Sequence, residues 1–278
     1  MASLPMGHPK SNSGPRGPSL PVLVLAMSCY LWFPAGTWAA NSLPPPGEPP
    51  SLFKLEANFR ASVFRGWRYF QTSFAQDGVA CVDCHRHHEP MRRWAGAYPK
   101  VEVFDGTPYR VKGLRQVVLE ALEKHSDLSL QRRLALVEDL VAYISWWGEG
   151  MPITPGHSRP IFPPAEDLKV LKSSAERGRR LFRQPELGPC TQCHVREETK
   201  VSPDKVPLGR AAATFPRYVP QAGQVMSLEA FLSWHLWTRG QKGQVPESDT
   251  VTGLVAYLAS LAKGQRIIPG HRRSQGDE

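Results

Sequence analysis

Apolar residues recur three and four positions apart in several stretches of the chain, and that spacing predicts helices with one buried face. Phe64, Trp67 and Phe70 form the first stripe, and Leu181 and Phe182 close a similar one. Leu134, Val137, Leu140, Val141 and Ile144 make a third, and Val251, Leu254, Val255, Leu258 and Leu261 a fourth. Gly148, Gly150 and Gly264 follow the last two stripes and predict where those helices stop. Between the stripes the chain is rich in Pro, Gly and short polar runs, without the strict alternation of a half-buried strand. The expected fold is therefore mainly α, with long loops.

The stripes belong to a larger self-similarity. RGWRYFQTSFAQDGVACVDCH (Arg65 to His85) matches RGRRLFRQPELGPCTQCH (Arg177 to His194), and YPKV at Tyr98 matches FPRY at Phe215. LVAYIS at Leu140 matches LVAYLAS at Leu254, and MPITPGH (Met151 to His157) matches RIIPGH (Arg266 to His271). Leu140 and Leu254, Gly150 and Gly264, and His157 and His271 stand at one constant separation of 114 residues. Two homologous domains, 53–157 and 168–278, account for this most simply. The proline-rich run 158–167 between them is short enough to act as a fairly stiff connector.

Composition changes the picture mainly at the N-terminus. Overall, 278 residues with 41% hydrophobic content suffice for one large or two ordinary domains. Residues 1–39 carry Lys10 and Arg16 with no acid, then a short apolar run and the small residues around Thr37-Trp38-Ala39. That pattern predicts a secretory signal peptide cleaved before Ala40, with an uncleaved anchor or a lipid at Cys29 as the alternatives. The apolar run is too short to span a bilayer as a helix. Residues 40–52, including NSLPPPGEPP, read as an extended tether.

The formal charge of +9 leaves the exported part basic. A basic surface suits redox partner proteins with acidic docking surfaces, and also peripheral association with an anionic membrane. Nucleic acid is excluded by export and by the absence of a dense Lys/Arg run with interleaved aromatics. The expected location is the periplasm.

With Cys29 in the signal, Cys81, Cys84, Cys190 and Cys193 are the cysteines of the mature chain. They form CVDCH and CTQCH, the C-x-x-C-H signal for c-type haem attachment. One helical turn offers both sulfurs to the vinyl edge of a porphyrin, and the next residue, His85 or His194, reaches iron as the proximal imidazole. A zinc ribbon would set its Cys pairs about 15–20 residues apart, far closer than these. A thioredoxin-like C-x-x-C would need a βαβ context that the pattern lacks. The expectation is two covalently attached haem c groups in two tandem cytochrome c-like domains, with every mature thiol consumed.

The sixth iron ligand decides between a closed electron carrier and an open, substrate-binding site. His125 in LRQVVLEALEKH and His235 in SLEAFLSWH end predicted helices at comparable depth after the YP and FP elements. From Leu114 to His125 is one helical turn more than from Leu228 to His235, so both histidines keep one face. His125 and His235 are the expected distal ligands, weighed against capping or surface roles. His157 and His271 read first as turn residues, Met91 is a further candidate, and Met151 and Met226 read first as core residues. His87 and His88, tethered just after His85, stay on the proximal side, facing solvent or the propionates. A lesser alternative has one of them ligate or tune the other haem.

These motifs, the YP and FP elements with a helix after them, and the L-x-A-Y closing segments together resemble a di-haem cytochrome c of the SoxA type. SoxA is the haem subunit of the periplasmic SoxAX complex, which joins thiosulfate to a carrier protein. The resemblance implies a SoxA-like fold and haem subunit over most of the mature chain. It also implies a cysteine persulfide as distal ligand of the active haem, on the helix after the second such element. Here that helix carries His235, and neither repeat has a cysteine to spare. The reading is therefore an electron carrier rather than a catalyst. The alternative is a haem subunit of an enzyme acting on an inorganic sulfur compound, its anion drawn by Arg196, Lys200, Arg210 and Arg217.

Overall fold

The computed structural model describes residues 55–86, 88–102, 110–156, 164–187, 190–195 and 206–270. The expected signal peptide and tether, and most of the connector after residue 157, lie outside them. Among the described residues the molecule is mainly helical, with three small two-stranded sheets. No helix there is long and apolar enough to cross a membrane.

α1 (Ala57–Gln71) begins at Glu56, whose carboxylate accepts the Phe59 N–H at 2.9 Å. The one-turn helix α2 (Cys81–Cys84) and α3 (His88–Ala97) follow. A cis Tyr98–Pro99 bond then leads into a hairpin, β1 (Lys100–Glu102) and β2 (Arg110–Lys112). Next come α4 (Leu114–Lys124) and α5 (Leu130–Trp147).

A related succession follows, without a counterpart of α3 among the described residues. α6 (Ala165–Leu181) precedes the one-turn α7 (Cys190–Cys193) and a two-residue parallel pair, β3 (His194–Val195) with β4 (Val206–Pro207). A cis Phe215–Pro216 bond leads into the hairpin β5 (Arg217–Val219) and β6 (Gln224–Met226), then α8 (Leu228–Thr238) and α9 (Asp249–Leu261).

The four apolar stripes fall on α1, the end of α6, α5 and α9; on α1 Phe70 is buried and Trp67 packs on the core as expected, but the face is rotated away from Phe64. Phe59, Val63, Gly66 and Phe70 point inward, while Phe64 is 41% exposed. The reason is Gly66, where a Cβ would lie 1.9 Å from the Asp139 carbonyl of α5 and 2.8 Å from Tyr143 Cβ. In α6, Gly178 meets the Gly253 carbonyl at 1.9 Å and Tyr257 Cβ at 2.9 Å by the same measure. Each crossing thus needs a residue without a side chain. The hairpins and α3 went unforeseen because three-residue strands are too short to express an alternating pattern. α6 also starts inside the expected connector, at Ala165.

Contacts between the first and second successions are reciprocal. Gly150 N–H donates to the Ile267 carbonyl and Gly264 N–H to the Ile153 carbonyl, both at 2.8 Å. Ile153 N–H donates to Gln265 at 2.8 Å and Ile267 N–H to Met151 at 2.9 Å, around a Pro152–Arg266 bridge. The hairpins are exchanged as well. β5 and β6 pack on α1, with β6 also against α5, while β1 and β2 pack on α6. Val225 of β6 and Tyr218 of β5 therefore join the core built on Phe59, Val63, Phe70 and Tyr143.

Candidate haem site

The first C-x-x-C-H turn is shaped by its own second variable residue. Asp83 Oδ2 accepts the Ala80 N–H at 2.8 Å and so caps α2. The His85 N–H returns to the Cys81 carbonyl at 3.0 Å, and the Arg86 Nε–H donates to the Asp83 carbonyl at 3.1 Å. None of Cys81, Cys84, Cys190 and Cys193 is in a disulfide, and Cys84 is exposed. Burial pushes the Cys81 and Cys190 thiols above their ordinary values. Among the described residues no three His, Cys, Asp or Glu side chains converge on a metal-sized site, so the two cysteine pairs are separate.

His85 sits edge-on to Trp94 of α3, ring centres 4.9 Å apart. Desolvation lowers its pKa, and the charge of His125 adds to this, so His125 stands within electrostatic reach of His85. His125 is the C-cap of α4, exposed, its N–H bonded to the Ala121 carbonyl at 2.9 Å.

The second pair is better enclosed. His194 and His235 have ring centres 6.2 Å apart at 61°. Two imidazoles bound through nitrogen to opposite sides of one metal have centres roughly 6 Å apart, given metal–nitrogen bonds of about 2 Å. The separation of these two rings is thus of the size that one iron between them would set. α8 starts at Ser227, whose Oγ accepts the Ala230 N–H at 3.2 Å, and this start sets the helical phase that turns His235 toward His194. Phe231, one turn earlier, stacks on His235 at 5.5 Å and 21° and lies 5.0 Å from Phe215. Burial lowers the His235 pKa, helped by Arg239 and His194, so the imidazole stays neutral and able to ligate.

A cleft of about 510 Å³ opens beside this pair, lined by His235, Phe231, Trp234, Arg217 and Tyr218 among others. That volume is within the usual range for a bound small molecule. The Arg217 guanidinium lies 4.6 Å from the Phe215 ring centre and 5.6 Å from that of Phe231.

The other candidates fare differently. Met91 is fully buried in the first core and Met226 is buried in β6, while Met151 packs beside Ile153 and Ile267. Arg210 is exposed at the start of a short 3-10 turn. His87, His157, His271, Arg196 and Lys200 lie outside the described residues, and of His88 only its place at the start of α3 is described. Sequence reasoning missed the Phe231 stack on His235. Its signal was present as an apolar residue one helical turn before a histidine, but only the fold brings that histidine beside His194.

Residues 177–267 match the family model described as SoxA/TsdA, cytochrome c domain. A cytochrome c domain holds haem c covalently. The crystal structure of SoxXA from P. pantotrophus is similar in fold, with a TM-score of 0.57 and 18% identity over 76% of each chain. No curated protein matches the chain.

Proposed function

We propose, from the premise that this chain is a SoxA-like c-type cytochrome, that it is an exported di-haem electron carrier of the periplasm. The haem c groups supply the one-electron Fe(III)/Fe(II) couple. Cys81 and Cys84 hold one group and Cys190 and Cys193 the other. His85 and His194 serve as proximal ligands, His125 and His235 as distal ones. The similar order of elements and the reciprocal hydrogen bonds support two tandem domains, 53–157 and 168–278, the second taking in α6 from Ala165. Residues 1–39 direct export. The basic charge guides docking to acidic partner proteins and makes the association rate salt-sensitive.

The observation that carries this reading is the 6.2 Å separation of His194 and His235. An imidazole stands where the SoxA resemblance implies a sulfur ligand. Phe231 stacks on that imidazole and Trp234 packs against Phe231 in turn. A closed, doubly histidine-ligated iron passes electrons and takes no small ligand.

The second reading, an enzyme subunit acting on an inorganic sulfur compound, is favoured by the cleft with Arg217 beside His235. It requires His235 to leave the iron. Absorption and EPR spectra of the oxidised holoprotein, with and without cyanide or sulfite, separate the two. Two low-spin irons that ignore both anions support the carrier. A high-spin iron that binds them supports the enzyme. His235→Ala is expected to convert one haem to high spin and leave the other unchanged, and an unaltered spectrum would remove His235 from the ligand set.

A further inference from the structure

We propose that Glu229 is a buried, proton-holding carboxyl between the two halves of the molecule, exchanging its proton in step with the oxidation state of the iron nearest it. The inference rests on the ligand assignment above for His194 and His235.

Glu229 is the second residue of α8 and is 8% exposed. Its Oε1 accepts the backbone N–H of Arg115, its counterpart 114 positions earlier, at 3.2 Å. It also fills the space at Gly113, where a Cβ would lie 2.0 Å from Oε1. The charged groups that act on it are Arg115 from α4 and Glu138 from α5, Arg115 in turn meets Glu247 ahead of α9, and Tyr98 lines the same cavity. Arg115 is fully engaged: its Nε donates to Glu138 Oε1 at 2.6 Å, and its Nη1 pairs with Glu247. Glu138 also accepts the Ser227 N–H at 2.6 Å.

One guanidinium therefore faces three carboxyls in a largely buried cluster. Two ionised carboxylates already exceed its charge, and a third is opposed by both desolvation and repulsion. Glu138 and Glu247 hold the direct ion pairs, so Glu229 is the group of the three that takes up a proton most readily. In line with this, burial raises its pKa, with Glu138 adding to the effect, while its backbone hydrogen bonds and Arg115 oppose it. A cavity of about 60 Å³ adjoins the carboxyl and is also lined by Ser145 and Ser227. One water needs only about 10–15 Å³ and a few polar partners, so the cavity has room to hydrate the carboxyl and pass its proton.

α8 carries both Glu229 and His235, six residues or about 9 Å apart along the helix axis. Arg115 and His125 on the other side are ten residues or about 15 Å apart. When one electron from a partner reaches the iron, the local charge falls by one. Glu229 then binds part of one proton from solvent, COO⁻ plus H⁺ giving COOH, with no other bond made or broken. The coupling is stronger for the iron of His194 and His235 than for that of His85.

The test is spectroelectrochemical titration of the holoprotein and its Glu229→Gln variant from mildly acidic to alkaline pH. The amide matches the protonated acid in shape, so the fold and both low-spin spectra are expected to persist. In the wild type both potentials should fall as pH rises, more for the His194–His235 haem, and in Glu229→Gln this dependence should be lost. The reduced-minus-oxidised infrared spectrum should contain a protonated-carboxyl C=O band that the variant lacks. Potentials independent of pH in the wild type, the same pH dependence in the variant, or absence of the band would each overturn the proposal. Failure of the ligand assignment is distinguishable, because it would show in the spin state of His235→Ala.

Discussion

Tyr143 concentrates much of the chemistry of the first helix crossing. It is 1% exposed, lies 5.4 Å from the Phe70 ring and 6.3 Å from that of Trp147, and abuts Gly66. Burial pushes its phenol up to about 12, against a hydrogen bond with Trp147 that lowers it. The folded state therefore keeps a proton that the unfolded chain loses near pH 10. The stabilisation is fully present below that pH and declines as pH rises toward 12. Denaturant titrations above pH 10 should show Tyr143→Phe losing less stability than the wild type, by roughly 2 kcal/mol across this window. Nearby, Asp139 binds the Ser62 hydroxyl and the Arg65 guanidinium, the latter at 2.7 and 2.8 Å. At the second crossing Gly253 occupies that place. Arg177 turns to Asp249 at 3.7 Å, and Ser174 Oγ has no hydrogen-bond partner among the described residues. At this scale the sequence exposed the cysteines and histidines, whose chemistry is written in their spacing. It did not expose Glu229, because a glutamate in the first turn of a helix reads as an ordinary solvated carboxylate until its neighbours are known.

Each helix pair is set by a glycine at its closest approach. α1 crosses α5 over Gly66, and α6 crosses α9 over Gly178. Since the atom each Cβ would strike is a backbone carbonyl, no side-chain rotation relieves the overlap. Gly66→Ala and Gly178→Ala should each cost about 3 kcal/mol or more by overpacking, measured as a loss of denaturation midpoint. An unchanged midpoint in either variant would mean that the crossing can open without penalty. The existence of these helices was legible from apolar spacing. The rotation of α1 was not, since Phe64 and Phe59 are equally apolar and only the glycine contact selects the inward face.

At the scale of the whole molecule, the exchange of hairpins makes the two halves mutually dependent. Without β5 and β6, the core around Phe59, Val63 and Tyr143 loses Val225 and Tyr218. Burying one such side chain contributes about 1.5–3 kcal/mol, and the reciprocal backbone bonds at Gly150, Ile153, Gly264 and Ile267 disappear as well. A fragment comprising residues 55–156 alone should lack a cooperative unfolding transition and regain one when produced together with residues 165–278. A sharp transition in the isolated fragment would contradict this dependence. The repeat in the sequence pointed to two similar units, yet nothing in their spacing distinguished units side by side from units that complete each other's cores.

What the amino-acid order determined by itself was local: two C-x-x-C-H turns, helices with apolar faces, and histidines at matching depth. Such features depend on residues within a few turns of one another, so their spacing records them. Only the tertiary structure decided that the His235 ring comes to 6.2 Å from that of His194, and that Arg115 and Glu229 meet in a buried cluster. Those relations join residues dozens of positions or more apart, and contact at that range is fixed by packing, which no local spacing encodes.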